Sequence, residues 1–201
     1  MQHHELALAA YIDDVRNDPE VLGIILVGSL ARGAERESSD VDVYLVVTDA
    51  AYERSADAGK FAWTARHGLD YPGSYIDVKL VSPGYLTSAA EHGDDPTRAS
   101  FAGARIAFSR DESLDAVVAA ISTLPEAAWG ERIRSHVAQA LLYGGYFLAQ
   151  GDDRGDAFLV RHAAVHLTLA AARAALASAH VRGSVPLTIR ASRPDPTCWS
   201  G

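Results

Sequence analysis

The sequence predicts an α+β fold, and three observations carry it. Short apolar runs with strand character occur at residues 21–27, 40–47 and 71–81 of the 201-residue chain. Segments with helical spacing precede and separate them, and from Leu114 onward the sequence is alanine-rich and helical throughout. Strands interleaved with helices and followed by a run of helices read as a catalytic-type α+β domain over residues 1–110 and a helical domain over 111–182. An irregular tail, 183–201, carries three prolines and no periodic apolar face.

Leu8, Ile12 and Val15 recur at helical spacing and predict a first helix of about four turns that ends near Asn17-Asp18-Pro19, with His3 and His4 in a frayed, solvated end. VLGIILV, residues 21–27, is a continuous apolar run closed by Gly28, the pattern of a strand covered on both faces and the candidate central strand. The polar stretch from Ser29 to Ser39, punctuated by Gly33, predicts a turn with at most a short helix starting at Ser29, whose backbone N–H groups can meet an anion. DVDVYLVV, residues 40–47, alternates as a second strand. Thr48-Asp49 caps a helix expected to continue through Phe61, Ala62 and Ala65 to Gly68. After Pro72-Gly73, Ile76, Val78 and Leu80 take one face of a further strand, and Tyr75, Asp77, Lys79 and Val81 the other. A short helix over 83–92, a break at Pro96 and a last strand over 105–108 complete the first region. In the second, Pro125 opens a helix with Ile133, Val137, Leu141 and Leu148 as its apolar stripe, interrupted by Gly144-Gly145, where close packing or a bend is expected. A last helix covers about 156–179.

Composition narrows the function classes. The net charge of −8 argues against nonspecific attraction to nucleic acid or an anionic membrane and favours a cationic partner. One cysteine, Cys198, excludes an internal disulfide framework and a thiolate zinc site. No apolar run reaches the roughly 20 residues of a membrane span, and MQHHELALAA lacks the basic start of a secretory signal, so a cytoplasmic protein is expected.

The chemistry concentrates between residues 27 and 47. Asp40 and Asp42, two apart on a strand, project from one face, a platform for a divalent metal, while Val41 and Val43 turn into a core. Asp77 is a carboxylate within an otherwise apolar strand, costly unless paired, hydrogen-bonded or metal-bound, and it joins the other two if its strand neighbours theirs. Singly, each has a plainer reading: Asp40 as a turn residue, Asp42 as an exposed strand residue.

Gly28-Ser29, then Asp40-Val41-Asp42, then the isolated Asp77 resemble the nucleotidyltransferase superfamily typified by DNA polymerase beta. The closer likeness is to its small bacterial branch, the aminoglycoside- and lincosamide-type and minimal nucleotidyltransferases. The family's pattern stands here as GSLARG, residues 28–33, with Ser39 directly before the aspartate pair. The resemblance implies a mixed β-sheet flanked by helices over residues 1 to about 110 and a helical domain after it. It also implies transfer of NMP, AMP from ATP in the first instance, to a hydroxyl of a small, cationic acceptor such as an aminoglycoside or lincosamide antibiotic, with release of pyrophosphate.

Two Mg2+ ions about 3.5–4 Å apart suit that displacement, held by Asp40, Asp42 and Asp77, with Asp77 also a candidate general base. Gly28 and Ser29 then cradle the β- and γ-phosphates, with Ser39 beside the pair and Arg32 and Lys79 as cationic supports. For Arg32 the competing reading is a solvated loop residue; for Lys79 it is a buried ion pair with Asp77.

In the last helix Arg161 and His166 fit the R-x4-H spacing of the HEPN ribonucleases, and His162 and His166 stand at i and i+4, a spacing able to share a metal. Two histidines on an alanine-rich helix equally fit an interface or a solvated face. Tyr143, Tyr146, Asp152, Asp153 and Asp156 are candidates for an acceptor pocket if it lies between the domains. Two further functions stay open: adenylylation of a partner protein, as by a minimal nucleotidyltransferase antitoxin, and a noncatalytic nucleotide-binding module. A homodimer is compatible with all of these.

Overall fold

A computed structural model describes residues 2–66 and 75–181. The Pro72-Gly73 turn, the expected helix end at Gly68 and the tail from 183 lie outside the described residues. The chain divides into two compact units, one ending at Leu124 and one beginning at Pro125.

In the first unit the elements run α1 (Gln2–Val15), β1 (Val21–Leu26), α2 (Gly28–Ala31), β2 (Val41–Val47), α3 (Asp49–Asp57), β3 (Ala62–Ala65), β4 (Ile76–Val81), α4 (Pro83–His92), α5 (Asp95–Ser100), β5 (Arg105–Ser109) and α6 (Leu114–Ser122). The five strands form one sheet in the order β3-β4-β2-β1-β5. Among the described residues only β2 and β4 pair in parallel, so the sheet is mixed and the fold class is α+β. The central position belongs to β2, one place from the expected β1.

Strand alternation sends the two predicted faces to two cores. Val41, Val43 and Leu45 of β2 and Ile76, Val78 and Leu80 of β4 pack with Leu8 and Tyr11 of α1 and Leu30 of α2. On the other face Ile25, Val46 and Val81 pack with Leu86, Phe101, Leu114, Val118 and Ile121. The helix after residue 111 therefore completes the second core of the first unit, which is why the compact division falls at Leu124.

Four local readings change. His4 is 0% exposed and its Nε2 donates to the Ser39 carbonyl at 3.0 Å, while His3 Nε2 reaches the Glu37 carbonyl, so this end is tied down and not frayed. The helix capped by Thr48 stops at Asp57, because Gly59 takes φ +67° in the turn that follows, and residues 62–65 form an edge strand on β4. Pro96 starts a helix: Asp94 accepts from Thr97 N at 2.9 Å and the proline occupies the first turn of α5. From α5, Arg98 is 9% exposed and ties the ends of two helices, donating to the carbonyls of Ala90 and Gly93 and of Ala120, Ile121 and Thr123.

The second unit comprises α7 (Glu126–Leu141), a π-helical turn (Leu142–Phe147), α8 (Leu148–Asp153) and α9 (Ala157–Val181). Ala163, Ala170 and Ala177, seven apart, form the buried stripe of α9. The fourth correction is in α7, where His136 is buried while Val137 and Leu141 of the expected stripe are 43% and 70% exposed. A unit built on two long helices buries only one narrow seam on each, and small residues suit that seam. Gly144-Gly145 falls within the π-helical turn, where Gly144 faces Leu167 closely. No helix among the described residues is long and apolar enough to cross a membrane.

Candidate functional site

The parallel ladder between β2 and β4 sets Val41 opposite Ile76 and Asp42 opposite Asp77. Cross-strand partners share a face, so the two carboxylates stand side by side on the face that carries Val46 and Val81 further along. The ladder is held at this end by Val41 N donating to the Tyr75 carbonyl at 3.1 Å, and β1 is held to β2 by Val27 N donating to the Asp42 carbonyl at 3.0 Å.

Lys79, two residues beyond Asp77 on the same strand face, closes the pair. Its Nζ lies 2.6 Å from Asp77 Oδ2 and 3.3 Å from Asp42 Oδ1. Partial desolvation pulls the Lys79 ammonium down, but the hydrogen bond and charge of Asp77, followed by those of Asp42, outweigh it and hold the group above its ordinary 10.5. The side chains remain part-exposed, Asp42 by 25% and Asp77 by 29%. Lys79 is thus ion-paired with Asp77, at a part-exposed position and not a buried one.

Gly28, the first residue of α2 and two beyond β1, has φ +73° and lies against the Asp42 carboxylate. Ser29 follows in the first turn of α2, and its carbonyl accepts from Arg32 N and Ala34 N, closing the turn. Asp40, just before β2, accepts the Tyr75 hydroxyl, and that hydrogen bond, with the nearby carboxylate charge, raises the phenol above its ordinary 10.0. Ser39 is engaged in the fold: its hydroxyl accepts from Arg36 N at 2.9 Å and its carbonyl from His4. Arg32 is exposed, and its aliphatic stem lies against Gly103.

Lys79 therefore bridges Asp42 and Asp77, and Gly28, with Ser29 adjoining it, lies against Asp42, whereas Asp40 turns to Tyr75 and Ser39 to the loop. Among the described residues no three acidic or histidine side chains converge as a metal cluster. The donor set nevertheless fits a cation, because Asp42 and Asp77 already share one, the Lys79 ammonium.

One residue and one pairing escape a sequence reading. Thr64 lies directly opposite Asp77 in the β3–β4 ladder, extending the row Asp42-Asp77 by a hydroxyl at the sheet edge. Reading residues 62–65 as helix hides it. Tyr75 was visible as a neighbour of Asp77 on one strand face, but its bond to Asp40 depends on strand order.

In the second unit Tyr143 stacks on His166 with ring centroids 4.7 Å apart, and His162 lies 4.3 Å from His166. These histidines take part in an aromatic cluster that also includes Phe158 and Phe147.

No curated protein sequence matches the chain. A similar solved structure is a nucleotidyltransferase-like protein from Exiguobacterium sibiricum 255-15, 16% identical, with a TM-score of 0.49. The likeness covers 92% of this chain and 60% of that one, so the chain spans about three fifths of that protein's length. Residues 8–90, which contain Gly28, Ser29, Asp40, Asp42, Asp77 and Lys79, match the family model of the nucleotidyltransferase domain.

Proposed function

We propose that the first unit transfers NMP, AMP from ATP in the first instance, to a hydroxyl of a small cationic molecule of the aminoglycoside or lincosamide kind. The observation that carries this reading is the Asp42–Asp77 register on adjacent parallel strands, with a cation already shared between them, inside the segment that matches the nucleotidyltransferase domain.

In the reaction a bond forms between the acceptor oxygen and the α-phosphorus, the bond from that phosphorus to the bridging oxygen breaks, and pyrophosphate leaves. Asp42 and Asp77, with Asp40 once released from Tyr75, would hold divalent magnesium, two ions in all. Bound there, the metal supplies charge neutralisation on the phosphates and acidifies the acceptor hydroxyl. Asp77, at the sheet-edge side of the pair, takes the hydroxyl proton as general base. Gly28 lets the backbone approach the triphosphate, Ser29 donates to its terminal phosphates, and Lys79 and Arg32 offset their charge. The acidity of the chain favours the cationic acceptor.

The test is pyrophosphate release from Mg·ATP and the other nucleoside triphosphates against a panel of hydroxylated cationic acceptors. Release is expected with at least one pair, and Asp42→Asn or Asp77→Asn should lower it by about a hundredfold or more. A protein that binds Mg·ATP yet releases no pyrophosphate with any acceptor would overturn the enzymatic reading in favour of a binding module.

A further inference from the structure

Lys79 does more than neutralise a neighbour. Both oxygens it contacts belong to the carboxylates proposed above to take the metal, and its ammonium lies between them, 2.6 Å from one and 3.3 Å from the other. Asp42 Oδ2 fills the space where a side chain on Gly28 would begin. Asp77 is fixed one strand over by the ladder. Two carboxylates held this close repel unless a cation sits between them, and the chain supplies its own. A divalent ion entering the same gap meets a positive charge within a few ångström, so both cannot stay. Lys79 has somewhere to go: its side chain is 39% exposed and ends a flexible four-carbon stem.

We propose that Lys79 is a resident counter-cation of the Asp42–Asp77 pair, displaced by the divalent metal and transferred to the polyphosphate of the incoming nucleotide. The free site then binds bare metal weakly and the metal–nucleotide complex well, because only the complex brings both the ion that replaces the ammonium and the anion that receives it. The inference rests on the proposed function for the identity of the nucleotide, while the exchange itself rests on the geometry.

The test is Mn2+ binding followed by the electron paramagnetic resonance of free Mn2+, without nucleotide, for wild type, Lys79→Met, Lys79→Arg and Asp42→Asn. Lys79→Met is expected to bind Mn2+ at least about tenfold tighter than wild type, as removal of a like charge in the gap requires. Lys79→Arg should not. Lys79→Gln repeats the comparison if the methionine variant does not fold. Titration with Mn·ATP should show the reverse order, with Lys79→Met weaker than wild type by about fivefold or more.

Mn2+ affinity unchanged or reduced in Lys79→Met, with binding abolished in Asp42→Asn, would overturn the exchange and leave the metal site standing. Mn2+ binding indifferent to Asp42→Asn, or absent from wild type and Lys79→Met alike, would overturn the metal site and the exchange together. Equal Mn·ATP affinity in wild type and Lys79→Met would overturn the transfer to the nucleotide.

Discussion

Asp42 Oδ2 lies where a side chain on Gly28 would begin: a Cβ built there falls 2.2 Å from that oxygen. Gly28 also holds φ +73°, a conformation that costs an L-residue about 1–2 kcal/mol. Gly28→Ala therefore carries two separable effects. The backbone cost appears as a loss of stability of that size in urea unfolding. The steric one moves the Asp42 carboxylate off Asp77 and Lys79, so metal–nucleotide binding should fall further than Asp42→Asn alone lowers it. Calorimetry with Mg·ATP on the two variants checks this; an alanine variant that binds like wild type would refute the contact.

Arg98 is the corresponding fixture of the second core. One guanidinium serves carbonyls at the end of α4, Ala90 and Gly93, and at the end of α6, Ala120, Ile121 and Thr123. Helix ends leave their last carbonyls without helical partners, and here the side chain of a third helix supplies the donors. Arg98→Met removes the donor to two buried acceptors, the Gly93 and Ile121 carbonyls, and to three part-buried ones, and should destabilise the first unit by about 3 kcal/mol. Arg98→Lys should recover only part of this, since an ammonium lacks the planar fork that spans both helix ends. Urea midpoints of the three proteins make the comparison.

The alternation in residues 40–47 and 76–81 made the face of the first core and the shared face of Asp77 and Lys79 legible from sequence, because a period of two in buried strands leaves little choice of face. The second core, which needs the helix from Leu114 that the sequence assigns to the next domain, was not legible. The register that sets Asp42 against Asp77 is a tertiary fact, and no spacing within either strand specifies it. The strand β3 was hidden because every residue from Phe61 to Thr64 is exposed, so no buried face imposes alternation on it. The anchoring of His4 depends on Ser39, 35 residues away. Pro96 is a different case: Asp94 two residues before it is a local capping signal, and a reading of the pair as cap and first turn identifies α5 without the structure.

The buried His4 gives the fold a dependence on pH. Burial lowers its pKa from the ordinary 6.5, outweighing the hydrogen bond to Ser39, and the neighbouring His3 lowers it further while Glu35 opposes. The folded state thus favours the neutral ring, and the unfolded chain takes up the proton first as pH falls. The contribution to stability is complete above the unfolded value near 6.5 and is lost progressively as pH falls from there towards the folded pKa. His4→Gln, which keeps a donor for the Ser39 carbonyl, should flatten this part of the stability profile. Unfolding free energies across pH 5 to 8, roughly the range over which histidine titrates, measure the difference between the two slopes; identical slopes would remove His4 as the source.

Adjacent glycines in the π-helical turn should respond oppositely to alanine. A Cβ on Gly144 falls 3.1 Å from Leu167 Cδ1 and 3.3 Å from its Cδ2, so α9 must give by a few tenths of an ångström to admit it. A Cβ on Gly145 meets nothing within 4 Å. Helix propensity alone favours alanine over glycine by about 1 kcal/mol at either position. Gly145→Ala should therefore stabilise the second unit by up to that amount. Gly144→Ala sets the same gain against compression of Leu167, and its net effect should be neutral or destabilising. Leu167→Val in the Gly144→Ala background relieves the compression and should restore part of the gain, a coupling that a double-mutant cycle of thermal or urea unfolding reads directly. Additive effects in that cycle would show that Gly144 is not retained for the approach of Leu167.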